Sequence, residues 1–190
     1  MTDLVFLAVL FGAACHAGWN ALIKVGLDPL ATTALIAGGA AVVGIVGLPF
    51  AGLPAPAAWP WLAASVVIHL FYFAALVEGY RSGDLGQVYP IARGTAPLMT
   101  AGASLVFLGE HLRAIVWGGI VLLAVGVVLL SARGGRDWAR LDKRAVGFAL
   151  LTALTICAYS VVDGVGVRAS HHPVSYALVL FVGNALLLMP

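Results

Sequence analysis

Three sets of polar residues stand out because each interrupts an apolar stretch at helical spacing. His16, Asn20 and Lys24 fall at i, i+4 and i+8, with Trp19 beside them. Tyr89, Arg93, Thr100 and Ser104 are separated by four, seven and four residues; Thr152, Thr155, Tyr159 and Asp163 by three, four and four. Residues three or four apart lie on one face of a helix, so each set reads as a single polar stripe. The chemistry this supplies is recognition of a solute. Arg93 carries a planar fork that matches a carboxylate bidentately, Asp163 a negative charge, and His16, Trp19, Asn20, Tyr89 and Tyr159 add hydrogen-bonding or aromatic surface. These residues are the candidate substrate-binding set.

The same stripes have structural readings. Serine and threonine in apolar helices commonly bond their own backbone, which accounts for Thr100, Ser104, Thr152 and Thr155 without any solute. Arg93 could be locked to Glu78 or Asp163, and Glu78 could pair with Arg81 or Arg93. His69 and Tyr72 fit equally a cavity or the lipid interface, whereas Trp59 and Trp61 read as an interfacial belt.

Machinery for breaking bonds is missing from the pattern. There is no Gly-x-x-x-x-Gly-Lys-Ser/Thr, no His-Glu-x-x-His and no Gly-x-Ser-x-Gly, and His171-His172 lacks neighbouring acidic ligands in sequence. Cys15 and Cys157 both lie in apolar stretches, which leaves no disulfide framework or CxxC motif. No enzyme activity, cofactor or metal is expected.

The elements that must hold these stripes are membrane helices. Of the 190 residues 62% are hydrophobic and 9% charged, against about 25% charged in a soluble domain. Mean hydropathy is +1.05. Apolar segments run over Leu4–Ile23, Leu30–Gly52, Trp61–Tyr80, Gly86–Leu108, Ala114–Ser131, Ala145–Val167 and Val174–Pro190. A hydrocarbon core of roughly 30 Å takes about 20 helical residues, so most are long enough to span. They are continuously apolar, which argues against the alternating strands of a β-barrel. Asp3 and the lack of a preceding Lys or Arg make the first segment a spanning helix rather than a cleaved signal. The lipid bilayer is therefore the first partner, a small-molecule solute the second, and a net charge of +2 gives no reason to expect nucleic acid.

Short joints such as Gly26-Leu27-Asp28-Pro29 and Ser82-Gly83-Asp84 imply antiparallel neighbours. The one long charged connection, residues 132–144, holds Arg133, Arg136, Arg140, Lys143 and Arg144. With Lys24 and Arg81 these put seven basic residues on one side, against Arg113 and Arg168 opposite. The positive-inside rule then places this linker in the cytoplasm and the amino terminus outside.

Trp19-Asn20 and Val25-Gly26 recur 140 residues later as Tyr159-Ser160 and Val165-Gly166. Five segments precede the linker, an odd number, so a second copy of the unit would be inverted, as in many secondary transporters. Beyond these patterns, His16-Ala17-Gly18-Trp19-Asn20-Ala21-Leu22-Ile23-Lys24 and the run Gly83 to Gly94 resemble the drug/metabolite transporter superfamily, within it the EamA-like transporters. Leu108-Gly109-Glu110, the stretch Gly118 to Leu130 and Ala158-Tyr159-Ser160-Val161-Val162-Asp163-Gly164 add to the likeness, which covers nearly the whole chain. The resemblance implies ten helices in two five-helix repeats.

The expected fold is thus an all-α integral membrane protein, a polytopic helix bundle. Residues 1–131 form the first repeat, 132–144 the basic linker, and 145–190 helices six and seven of an incomplete second repeat. A chain ending there is expected to be inactive alone. The expected function is secondary transport, as exporter or permease, of small polar metabolites or amino-acid-like solutes across the bacterial inner membrane by alternating access. A membrane-embedded enzyme and a non-transporting structural subunit are the alternatives. Oligomeric state stays open, with a homodimer among the candidates.

Overall fold

A computed structural model describes residues 6–7, 10–15, 29–83, 85–107, 113–133 and 142–188, and among them no strand occurs. Residues 10–15 are helical (α1). The remaining helices are α2 (Pro29–Ala51), α3 (Trp59–Ser82), α4 (Leu85–Phe107), α5 (Ala114–Arg133), α6 (Lys143–Ser170) and α7 (Pro173–Leu188), with a short 3-10 turn at Pro56–Ala58. The chain is an all-α polytopic membrane protein.

Helix ends differ from the hydropathy boundaries where turn chemistry or a cap decides them. Gly52, expected inside the second segment, lies beyond α2 at φ +73°, and its N–H bonds the Leu48 carbonyl at 2.8 Å, a left-handed helix stop. Lys143 and Arg144, expected in the linker, open α6 because the side chain of Asp142 accepts from the Arg144 N–H at 2.8 Å. Such an N-cap contributes about 1 kcal/mol. Proline at the first turn lets α3 start at Trp59, two residues early.

Among the described residues three helices are long and apolar enough to cross a membrane by length and hydropathy: Ala31–Ala51, Pro56–Ser82 and Lys143–Ser170. Ala114–Val127 and Pro173–Leu188 are shorter apolar helices. At 1.5 Å per residue α4 is about 35 Å long, also sufficient.

Packing is inside out relative to a soluble protein. Large apolar side chains face outward, such as Phe50 at 89% exposure and Leu122 at 73%, while small ones fill the contacts: Ala92, Ala96, Ala149 and Ala153 are all buried. Helices immersed in lipid gain nothing from hiding leucine, so association rests on close approach of small residues and on hydrogen bonds.

Helix α6 is the organising element, packed against α3 and α4, while α2 pairs with α7 and α4 with α5. Helices α3 and α6 run antiparallel. At one end Arg144 meets Glu78, and at the other the Ala55 N–H reaches the Ser170 carbonyl at 3.4 Å. The hydroxyl of Ser175 on α7 donates to the Ala51 carbonyl at 2.8 Å, satisfying an acceptor that the end of α2 leaves open. Between α3, α4 and α6 lies a cluster of Tyr72, Ala96, Ala153 and Ile156, flanked by Phe73, Met99 and Tyr159. This cluster forms one wall of the polar site.

Candidate functional site

Helix α4 brings Arg93 inward because Tyr89, Arg93, Ala96 and Thr100 share its inner stripe. The guanidinium carbon lies 5.6 Å from the centre of the Tyr89 ring, and Nη2 donates to the Tyr72 hydroxyl of α3 at 3.2 Å. Tyr80 and Tyr159 are further phenolic neighbours. Two prolines break the backbone ladder of α4. Pro90 frees the Gly86 carbonyl, and Pro97 frees that of Arg93 itself, since proline has no N–H to donate four residues back. Arg93 thereby offers a cation and a carbonyl acceptor at the same level of the bundle.

From α3, Ser65, His69 and Tyr72 follow one another at spacings of four and three. The Nδ1 of His69 lies 2.9 Å from the Ser65 carbonyl, which can only accept, so Nδ1 carries the hydrogen and a neutral ring presents Nε2 as acceptor. The imidazole stacks on Tyr159 of α6 at 4.1 Å between centres and 25° between planes, and Tyr72 meets the same phenol edge-on at 5.7 Å. One turn beyond Tyr159, Asp163 accepts from the Tyr176 hydroxyl of α7 at 2.9 Å.

Of the expected site residues, the fold assembles Tyr89, Arg93 and Tyr159 around one group of rings, with Asp163 one turn away on α6. His16, Trp19 and Asn20 lie outside the described residues. Sequence reading left His69 and Tyr72 undecided, and both sit in this group. Their signal was the Ser65–His69–Tyr72 stripe in the third segment. Tyr176 was missed altogether, because nothing in the spacing of α7 marks it.

Of the alternatives open for Glu78 and Arg93, a pair between the two is not formed. The Glu78 carboxylate takes Nη2 of Arg144 at 2.6 Å, since the antiparallel α3 and α6 put those two residues at one level. The threonines behave as their structural reading expected: Thr100 donates to the Ala96 carbonyl, Thr152 to Phe148 and Thr155 to Thr152, at 2.9, 2.7 and 2.8 Å.

A cavity of about 400 Å³ opens beside Arg93 between α4, α5 and α6, with Thr100, Ser104, Ile120, Ile156 and Ser160 in its wall. Among the described residues no three His, Cys, Asp or Glu side chains converge as a metal site requires.

An arginine ringed by tyrosines beside a largely apolar cavity, within a bundle of lipid-facing helices, suits a solute carrier, and the family comparison agrees. The EamA-like transporter family matches residues 4–132, more than half of the chain. The chain belongs to the EamA-like transporter family. No curated protein and no solved structure matches it significantly. As an EamA-like protein it is a multi-pass membrane transporter of the drug/metabolite type. Tyr89 and Arg93 fall within the matched residues, Tyr159 and Asp163 beyond them.

Proposed function

We propose that this EamA-like chain forms part of a secondary transporter of small polar metabolites bearing a carboxylate, including amino-acid-like solutes, working by alternating access across the bacterial inner membrane. Arg93 is the anchor. One observation carries this reading: among the described residues neither Glu78 nor Asp163 forms an ion pair with Arg93, Glu78 pairing with Arg144 and Asp163 accepting from the Tyr176 hydroxyl. Its own hydrogen bond goes to a neutral phenol.

An arginine inside a membrane helix costs about 2.5 to 3.5 kcal/mol on insertion scales, and a phenol offsets only part of that. A bound carboxylate supplies the missing charge with bidentate geometry. The Arg93 carbonyl freed by Pro97 would accept an N–H or O–H of the same solute. Residues 1–131 and 145–190 are read as one repeat and part of its inverted copy, with the solute between them near the midplane. The solute-facing residues are Tyr89, Arg93, Tyr159 and Asp163, joined by His16, Trp19 and Asn20 of the first segment.

The test is ligand-induced thermal stabilisation of the purified chain in lipid nanodiscs, screened with neutral, cationic and carboxylate solutes. Carboxylates alone should stabilise it. Arg93→Lys should fold normally and weaken binding, and Arg93→Gln should abolish it. Unchanged carboxylate binding in a well-folded Arg93→Gln variant would refute the assignment.

A further inference from the structure

The cavity beside Arg93 has a shape and a distribution of polarity that narrow the solute further. Along α4 its wall runs from Arg93 through Ala96, Thr100 and Ser104, a climb of about 16 Å at 1.5 Å per residue. Spread over that length, a volume of about 400 Å³ leaves a mean cross-section of about 25 Å², room for one chain or one ring edge-on.

Charge sits at one end of this groove, and the rest of its wall is mainly apolar, with the hydroxyls of Thr100, Ser104 and Ser160 set into it. Ile156 of α6 and Ile120 and Val116 of α5 face Ala96, Pro97 and Ala101 of α4. Thr100 adds little polarity, because its hydroxyl hydrogen already goes to the Ala96 carbonyl at 2.9 Å. A solute held by its carboxylate at Arg93 would lay the remainder of its body against these side chains.

We propose that the groove from Arg93 to Ser104 and Val116 binds an amphipathic monocarboxylate, its carboxylate on the Arg93 guanidinium and an unbranched apolar body of on the order of eight to ten carbons extended along α4. The proposal rests on Arg93 as the carboxylate anchor in the reading above and departs from its small polar solutes, because the part of the solute that Arg93 does not touch meets a mainly apolar wall. Head and tail contribute separately. The guanidinium selects anions over amines and amides, and the groove selects by length.

The experiment measures binding of acetate, butyrate, hexanoate and octanoate to the chain in lipid nanodiscs, with octylammonium and octanamide as controls for head-group charge. Affinity should rise about fourfold per methylene up to octanoate, the ratio that burial of one methylene supplies. Octylammonium and octanamide should bind at least tenfold more weakly than octanoate. Val116→Trp, at a partly exposed position near the far end, should bring octanoate down to the level of butyrate and leave butyrate unchanged. Ala101→Phe should act in the same way nearer the middle, and retained butyrate binding shows that either variant is folded.

Equal affinity for butyrate and octanoate, both lost in Arg93→Gln, would overturn the groove while leaving Arg93 as the anchor. Binding of every acid unchanged in Arg93→Gln would overturn both readings. Octanoate binding indifferent to Arg93→Gln and Val116→Trp would mark simple partition into the bilayer and would also overturn the proposal. Displacement of octanoate by anionic phospholipid but not by butyrate would assign the groove to lipid instead.

Discussion

The hydroxyl of Tyr72 on α3 accepts a hydrogen bond from Nη2 of Arg93 on α4 at 3.2 Å, tying a half-buried cation to a neighbouring helix. The bond fixes where the guanidinium points without neutralising it. A carboxylate in place of Tyr72 would have consumed the charge, and a smaller residue would have left the long side chain free to turn.

Tyr72→Phe therefore tests positioning apart from charge. The ring still packs against Ala96, Ala153 and Ile156, so stability should fall by only about 0.5–1.5 kcal/mol, the net value of one hydrogen bond. Carboxylate affinity should drop several-fold through loss of preorganisation. Thermal denaturation and titration on the same preparation separate the two effects. A large stability loss with unaltered affinity would make Tyr72 a packing residue only.

Glu78 and Arg144 join α3 to α6 across the linker, but Arg144 is 66% exposed and Glu78 33%. Half-exposed pairs contribute little, about 0–1 kcal/mol. Glu78→Gln and Arg144→Gln should each cost less than about 1 kcal/mol, and the double variant no more than the larger single change. Denaturant midpoints of the three variants decide it; strict additivity would mean that the pair is not coupled.

Gly166→Ala should disturb the Asp163 end of the site. A Cβ there would stand 2.6 Å from Cε2 of Tyr176, a buried ring with no room to retreat, and would push its hydroxyl off Asp163. Overpacking of this kind costs about 1–3 kcal/mol. Tyr176→Phe, which deletes the same hydrogen bond without the clash, should cost about 1 kcal/mol. Equal losses in thermal stability for the two variants would show that Gly166 has no steric role.

Orientation is open to chemical labelling. Arg81, Arg133, Lys143 and Arg144 occur at helix ends on the linker side, Arg113 and Arg168 toward the other. Gly134→Cys, in a background lacking Cys15 and Cys157, should resist impermeant thiol reagents in intact cells and react after permeabilisation. Rapid labelling from outside would invert the assignment.

Membrane character and helical class were legible in the sequence by itself, because both follow from composition and continuous apolar length, which act locally along the chain. The stripe that turns Tyr89 and Arg93 to one face was legible for the same reason: it is a property of a single helix. Pairing between helices is not local. That Glu78 meets Arg144, 66 residues away, depends on the antiparallel register of α3 and α6, and spacing within a segment carries no information about it. The same holds for the stacking of His69 on Tyr159 and for the choice of Tyr176 as the partner of Asp163. Hydropathy marks His69 and Tyr72 as polar interruptions of the third segment; only the packing of α3 against α4 and α6 decides that they face the site rather than the lipid headgroups, since only there can a buried polar group find its partner.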